Sequence, residues 1–255
     1  GFDWFVLNLL LTGLLFIPLE KLFGRLTDQP LFRSEWREDL FYFLISSVLV
    51  QIISFLSLSP SMFILETTGS WSGFRLLVAE QPLVLQVLEI MLLTDFVQYW
   101  FHRLFHEIPF LWRFHAVHHS AQKMDWLAGS RMHIVEIVGL RGLTIIPMFV
   151  LGFNQQALSI YILLVYLNAT FVHANLRFNV EWLKPFIVTP RFHHWHHGIE
   201  KEAINVNYSI HFPWLDKLFG TYYMPPHQWP KGYGIGGHPV PNGYWKQFLY
   251  PFQKK

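Results

Sequence analysis

The chain alternates long apolar stretches with short polar ones. Residues 2–18 read FDWFVLNLLLTGLLFIP, with one acid at the start. Residues 40–59 (LFYFLISSVLVQIISFLSLS) and 155–172 carry no charge. Two more apolar stretches hold two charges each: Glu89 and Asp95 in 82–101, Glu136 and Arg141 in 134–153. A membrane-spanning helix needs about 20 predominantly apolar residues. The pattern therefore predicts an all-α, polytopic membrane helical bundle of four to five spans. Buried helices of a soluble protein are the alternative, and the charge-free runs weigh against it. No basic region precedes 2–18 and no small-residue cleavage site follows, so this stretch reads as a first span and not as a signal peptide. The segment 60–81 is too polar to span and reads as interfacial or re-entrant. Gly152–Asn154 reads as the turn of a tight hairpin between the last two spans.

Charge orients the bundle. The linker 20–38 contains Lys21, Arg25, Arg33 and Arg37, whereas 60–81 contains only Arg75. The positive-inside rule puts the first linker, and by counting spans everything from His173 onward, in the cytoplasm. Trp182, Phe186, Trp245, Phe248 and Phe252 are candidates for resting this cytoplasmic part on the membrane surface; filling a cytoplasmic core is the equal alternative. Three regions follow: membrane spans with an interfacial segment (1–81), a histidine-rich unit of spans plus cytoplasmic cap (82–224), and a C-terminal cytoplasmic tail (225–255).

Composition narrows the chemistry. The chain is 52% hydrophobic and only 14% charged, with no cysteine. Disulfides, thiolate metal sites and cysteine nucleophiles are excluded. The net charge of +2 comes without a basic, aromatic-interleaved patch, so nucleic acid is not a partner. All 14 histidines fall between 102 and 238. His102 and His106 are spaced i, i+4. His115, His118 and His119 are spaced i, i+3, i+4, and His193, His196 and His197 repeat that pattern. Such positions share one face of a helix. His173 stands alone at the end of the last span. A helix rising about 1.5 Å per residue from Pro82 brings His102 and His106 just past the bilayer boundary, on the side where the other groups lie. Nine histidines at ligand spacing in one layer predict metal binding. They are too many for one ion and suit two, with four or five ligands each. Imidazole suits Zn, Cu, Fe and Ni. A histidine-rich iron pair with open positions for O2 fits best; zinc can replace iron in a purified sample.

HRLFH, HAVHH and HHWHH resemble the three histidine boxes of the fatty acid hydroxylase/sterol desaturase superfamily of integral-membrane di-iron enzymes. The likeness extends to DFVQYWFHRLFH, MDWLAGSRMH and NYSIHFPWLDKLFGTY, and covers roughly residues 85–224. TPRFHHWHHG resembles most the alkylglycerol monooxygenase-like and bacterial sterol desaturase branch. The resemblance implies two irons held by His102, His106, His115, His118, His119, His173, His193, His196 and His197. It also implies O2-dependent oxidation of an unactivated C–H bond in a lipid or sterol-like substrate, by hydroxylation or C-5-type desaturation. An ether-lipid monooxygenase is the alternative within the family; a membrane metal-binding protein or transporter is the non-enzymatic one.

Ile134 replaces the proline that often follows the corresponding R-x-H, and Leu215 interrupts the usual Trp-Asp pair before Asp216. No histidine precedes His102, which leaves a tenth ligand absent or supplied by water or by a residue such as His133. Supporting or substrate-facing candidates are Asp95, Asp125, Arg131, His133, Glu136, His194, Asn207 and Asp216. Asp95, inside a span, would bond a box histidine or line the substrate path; a purely structural role is equally open. Trp195 would point away from the metals. GYGIGG (232–237) lacks a flanking strand and helix and is a loop, not a dinucleotide site. With no haem, flavin or nicotinamide motif in view, electrons are expected from a separate cytochrome or ferredoxin/reductase-type donor.

Overall fold

The computed structural model describes residues 2–178, 181–236 and 240–253. Gly237, the last glycine of the GYGIGG loop, lies outside them; Gly232 and Gly234 sit in irregular backbone, as expected.

The chain forms α1 (Phe2–Phe23), α2 (Trp36–Leu56), α3 (Leu58–Thr67), α4 (Ser72–Ala79), α5 (Leu83–Glu107) and α6 (Pro109–His119), followed by α7 (Ile134–Leu151), α8 (Gln155–His173), α9 (Pro190–His196), α10 (Trp214–Leu218) and α11 (Tyr244–Leu249). Five stretches are long and apolar enough to cross a membrane: α1, α2 continued by α3, α5, α7 and α8. This is an all-α, integral-membrane bundle. Its outside is apolar: Leu14, Phe55 and Val84 are each more than 70% exposed. Such side chains suit contact with lipid tails, where no water competes.

The segment 60–81 is helical. α3 prolongs α2, and the buried hydroxyls of Ser57 and Ser61 donate to carbonyls four residues back, 2.8 and 2.7 Å away. Polar groups in an apolar span are thereby satisfied without leaving the helix. After a turn at Gly69–Trp71, α4 folds back over the end of α7. There Arg75 donates to the carbonyls of Phe149 and Val150, both at 3.1 Å.

Val87 and Ile90 of α5, Met148 of α7, and Ala157, Tyr161 and Val165 of α8 form the main core cluster. The α7–α8 hairpin turns where expected. Gly152 is left-handed (φ 92°), and Asn154 caps α8 by accepting from the Ala157 N–H at 2.8 Å. α5 has 25 residues. At about 1.5 Å each this exceeds a hydrocarbon layer about 30 Å thick, so its last turns stand clear of it. The end of α5, the start of α7 and the end of α8 lie together, with α6, α9 and the loops between them forming a cap over that end.

A Cβ at Gly152 would meet the Arg75 Cβ at 2.8 Å and its Cα at 3.0 Å. With the left-handed backbone alone costing a side chain about 1–2 kcal/mol, Gly152→Ala is expected to lower the melting temperature of the detergent-solubilised protein by several degrees.

Candidate metal centre

Each predicted histidine arrives on the element that its spacing implied. His102 and His106 occupy the last turns of α5. His115, His118 and His119 line one side of α6, and His173 ends α8. His193 and His196 belong to α9, with His197 as its C-cap. α9 is only 7 residues long, but Pro190 opens it and the Thr189 side chain accepts from the Phe192 N–H to cap it.

The nine imidazoles separate into two groups. His102, His106, His115, His119 and His196 form one; His118, His173, His193 and His197 form the other. Within each group the candidate ligand nitrogens lie within 4.8 Å of one another. The boxes do not map one to one onto the groups. α6 sends His115 and His119 to the first and His118 to the second. The α9 region sends His196 to the first and His193 and His197 to the second.

The contacts within the groups define the chemistry. A neutral imidazole carries one N–H. A carbonyl can only accept, so a hydrogen bond to one fixes the proton. His102 Nδ1 donates to the Tyr208 carbonyl (2.8 Å) and His196 Nδ1 to that of Val206 (2.7 Å). His118 Nδ1 donates to the Arg131 carbonyl (2.9 Å) and His173 Nδ1 to that of Ala169 (2.7 Å). Each Nε2 is then a bare lone pair. His118 and His173 nevertheless place their Nε2 atoms 3.2 Å apart, with no proton to share. In the first group, His102 and His115, whose own Nδ1 proton goes to Glu136, approach at 3.0 Å. Facing lone pairs repel unless a cation lies between them. An ion about 2.1 Å from each nitrogen holds two at a right angle about 3.0 Å apart, and at a tetrahedral angle about 3.4 Å apart. The spacings of 3.0–3.2 Å fall in the range that one transition ion imposes on two imidazole nitrogens, so the donor set fits a metal ion in each group.

Protonation does not relieve the repulsion. Burial, reinforced by the neighbouring imidazoles, holds His115, His119, His193, His196 and His197 well below the ordinary histidine range. Burial and His173 push His118 down to about 3. All these rings therefore stay neutral near pH 7, as metal ligands must.

The supporting candidates take different places. Glu136 accepts from His115 Nδ1 at 2.6 Å, the carboxylate–histidine pairing that orients a ligand. Arg131 contributes its carbonyl to His118. Asp95 has no box histidine among its hydrogen-bond partners: it accepts from the backbone N–H groups of Ile210, His211 and Phe212 at 2.9–3.1 Å. Asp216 does the same for Tyr208 and Ser209 at 2.7 and 2.9 Å. The two acids therefore secure the segment whose Tyr208 carbonyl orients His102. Asn207 ties Phe192 to Tyr223 through their backbones. His133 is in neither group; it donates to the Phe248 carbonyl at 3.0 Å and caps α7 through the Val135 N–H. His194 is fully buried, not at the surface, and bonds the Tyr233 hydroxyl at 2.6 Å. Trp195 points away from both groups, donating to the Gln228 carbonyl.

Asp125 belongs to an ion network that the sequence reading missed. Arg33, 1% exposed, donates to both oxygens of Asp125 (2.6 and 2.9 Å) and to Asp39. Arg131 donates to the other Asp39 oxygen at 2.6 Å, and Glu35 borders both guanidiniums. Arg33 had counted only as a topogenic charge, yet it is buried. The available signal was Asp39, an acid at the very edge of a charge-free run. Tyr208 was also missed. It is fully buried, and its ring packs 5.6 Å from His102 and 5.2 Å from His106.

Residues 87–221, more than half of the chain, match the family model described as fatty acid hydroxylase. The chain belongs to the fatty acid hydroxylase family. The matched region contains every histidine of both groups. Among curated proteins, the chain is 32% identical to an ornithine lipid hydroxylase of Rhizobium tropici over 68% of this chain and 52% of that protein. It is 27% identical to the alkylglycerol monooxygenase of Homo sapiens over 51% of this chain and 28% of that protein. With the alkylglycerol monooxygenase of Caenorhabditis elegans it shares 27% identity over 65% and 32%. The chain thus spans about half or less of the length of these relatives. They include the alkylglycerol branch of the family that TPRFHHWHHG resembles. No solved structure gives a significant match.

Asp39→Asn removes the charge that both guanidiniums share. Breaking a buried ion pair on one side costs about 3–5 kcal/mol, so this variant is expected to melt well below the parent. Acid should act in the same direction on metal-free protein. Unfolded imidazoles take up protons near 6.5, whereas His118 and His194 resist until about 3. Between these limits the unfolded state binds more protons. Each such group then lowers stability by about 1.4 kcal/mol per unit fall in pH. Melting curves of chelated protein from pH 7 to pH 5 check this; a flat profile would contradict it.

Proposed function

We propose that each histidine group holds one iron ion and that the protein uses O2 to oxidise an unactivated C–H bond of a lipid or sterol-like molecule. The reaction is hydroxylation or C-5-type desaturation. The observation that carries this reading is the meeting of tautomer-fixed Nε2 lone pairs 3.0–3.2 Å apart in both groups. Family membership and the hydroxylases and monooxygenases among the relatives support it. The match to alkylglycerol monooxygenases favours, as a second reading, an ether lipid as the substrate.

When bound, the iron pair supplies the O2-dependent oxidation that amino-acid side chains cannot perform. The chain's own residues do the rest. His102, His118, His173 and His196 commit their Nδ1 protons to backbone carbonyls and His115 commits its own to Glu136, which turns their Nε2 atoms inward. Glu136 strengthens His115 as a donor by taking its N–H. His102, His106, His115, His119 and His196 would hold one ion, and His118, His173, His193 and His197 the other. Tyr208 and Trp112 wall the first group with aromatic surface, which excludes water from a reaction that uncoupled protons would spoil.

The groups stand at one end of the spans, on the side of the basic linker, so we assign them to the cytoplasmic face of a multi-pass membrane protein. A lipid can approach sideways from the bilayer, while electrons come from a separate cytochrome or ferredoxin/reductase-type donor. The catalytic unit is residues 82–224, flanked by the first spans (1–81) and the C-terminal tail (225–255).

Iron-replete expression should give two irons per chain and O2 consumption on reduction. Lipid extracts from expressing cells should contain a species that has gained one oxygen or lost two hydrogens. His196→Ala should abolish that product and lower the metal content, whereas His227→Ala, at an exposed position, should preserve both. Iron-loaded protein with no O2 uptake would leave a metal-binding protein instead.

A further inference from the structure

An open groove of about 410 Å³ lies between α6 and the C-terminal segment, lined by Pro109, Phe110, Trp112, Arg113, Ile235 and Tyr250. This is within the range of about 300–1,000 Å³ typical of small-molecule sites. Its lining is apolar or aromatic except for Arg113. Trp112 forms the inner wall: its ring lies 5.0 Å from that of His106 and 5.3 Å from that of His119. One indole therefore separates the groove from the five-histidine group, and behind it the His106 Nε2 is buried with no hydrogen-bond partner.

A second observation says what reaches the groove. The segment that supplies Tyr250 begins as α11, which leans on the first turns of α2. The Tyr244 ring lies 4.7 Å from Phe41, and Gln247 accepts from the Tyr42 hydroxyl at 2.8 Å. Residues 41 and 42 open the long apolar run of α2, so α11 lies at the bilayer boundary. Its outer face carries Trp245 and Leu249, four residues apart, and the 3-10 turn that follows carries Phe252, each more than half exposed. This apolar face continues the exposed apolar side of α2 at Phe41, Val48 and Ile52. An apolar face beside the start of a span belongs among lipid head groups. Phe110, which lines the groove, is 59% exposed. Arg113 adds a cation there. Its Nη2 donates to the carbonyls of Tyr250 and Gln253, and its Nε has no partner.

We infer that this groove is the lipid entry site: an alkyl chain from the bilayer lies along Phe110, Ile235 and Tyr250, its polar head beside Arg113, with a head-proximal carbon against Trp112. The inference rests on the reading that the histidine groups oxidise a lipid. It adds the path, the end of the lipid presented, and residues that set specificity.

The test uses the full chain in phosphatidylcholine vesicles containing an alkyl-ether phospholipid with a diazirine near its head group. After photolysis, peptides covering 109–113 and 235–250 should carry the label, in addition to the lipid-facing helices. Gly236 borders the groove, is exposed, and a Cβ there would meet nothing within 4 Å, so Gly236→Trp introduces a bulky side chain at the groove from a position with room for its Cβ. It should cut groove labelling and the kcat/KM of lipid oxidation about tenfold, equivalent to about 1.4 kcal/mol. Labelling at Leu163 on α8 and the metal content should not change. Wild-type protein labelled only on its lipid-facing helices would overturn the inference, whether or not the variant folds. So would Gly236→Trp with wild-type kcat/KM. Unchanged labelling in a variant that is reduced more slowly by its donor protein would assign the groove to that donor instead. Groove labelling by a preparation that oxidises no lipid would uphold the entry site and remove the oxidation reading.

Discussion

Nitrogen lone pairs turned toward one another, with no hydrogen between them, are the constraint around which this molecule is organised. His118 and His173 show it most plainly. Each is held by a backbone carbonyl on its far side, so neither ring can flip its proton inward. Such an arrangement is tolerable in the interior only around positive charge. The rest of the cap can be read as the apparatus that keeps these rings in place: carbonyls of Tyr208, Arg131, Ala169 and Val206, the Glu136 carboxylate, and packed aromatic walls.

These carbonyls need support in turn, and acids supply it. Asp95 reaches from α5 to three N–H groups of residues 210–212, and Asp216 holds those of 208 and 209. An irregular segment at the edge of a bilayer would otherwise expose unpaired backbone donors to a medium without water. On the opposite flank, Arg33, Asp39, Asp125 and Arg131 join the linker before α2 to the loop after α6. Charges buried near a membrane thus serve geometry here: they brace the backbone that orients the imidazoles.

Much of this was legible from residue order. Charge-free runs marked the spans, helical spacing grouped eight of the histidines, the end of the last span marked His173, and the resemblance set His194 and Trp195 apart from their neighbours. Other features left no local trace. A carbonyl acceptor has no residue type, so the partners of His102 and His196 could not be read. The division of each box between two groups depends on how α6, α9 and the end of α8 cross, which spacing along one helix does not encode. Asp95 was noticed as an acid inside a span, but its partners lie more than 100 residues away. Arg33 was misjudged because a basic linker residue is ordinarily solvated; here it has three carboxylates around it.

The split of the boxes has a mechanical result. His118 and His119 are neighbours on one helix, as are His196 and His197 at the end of another, and each neighbouring pair serves both groups. Two rigid rods therefore carry both coordination sets, and the gap between the sets is built into the backbone. Cations held by the two sets would keep a nearly invariant separation, insensitive to what occupies either.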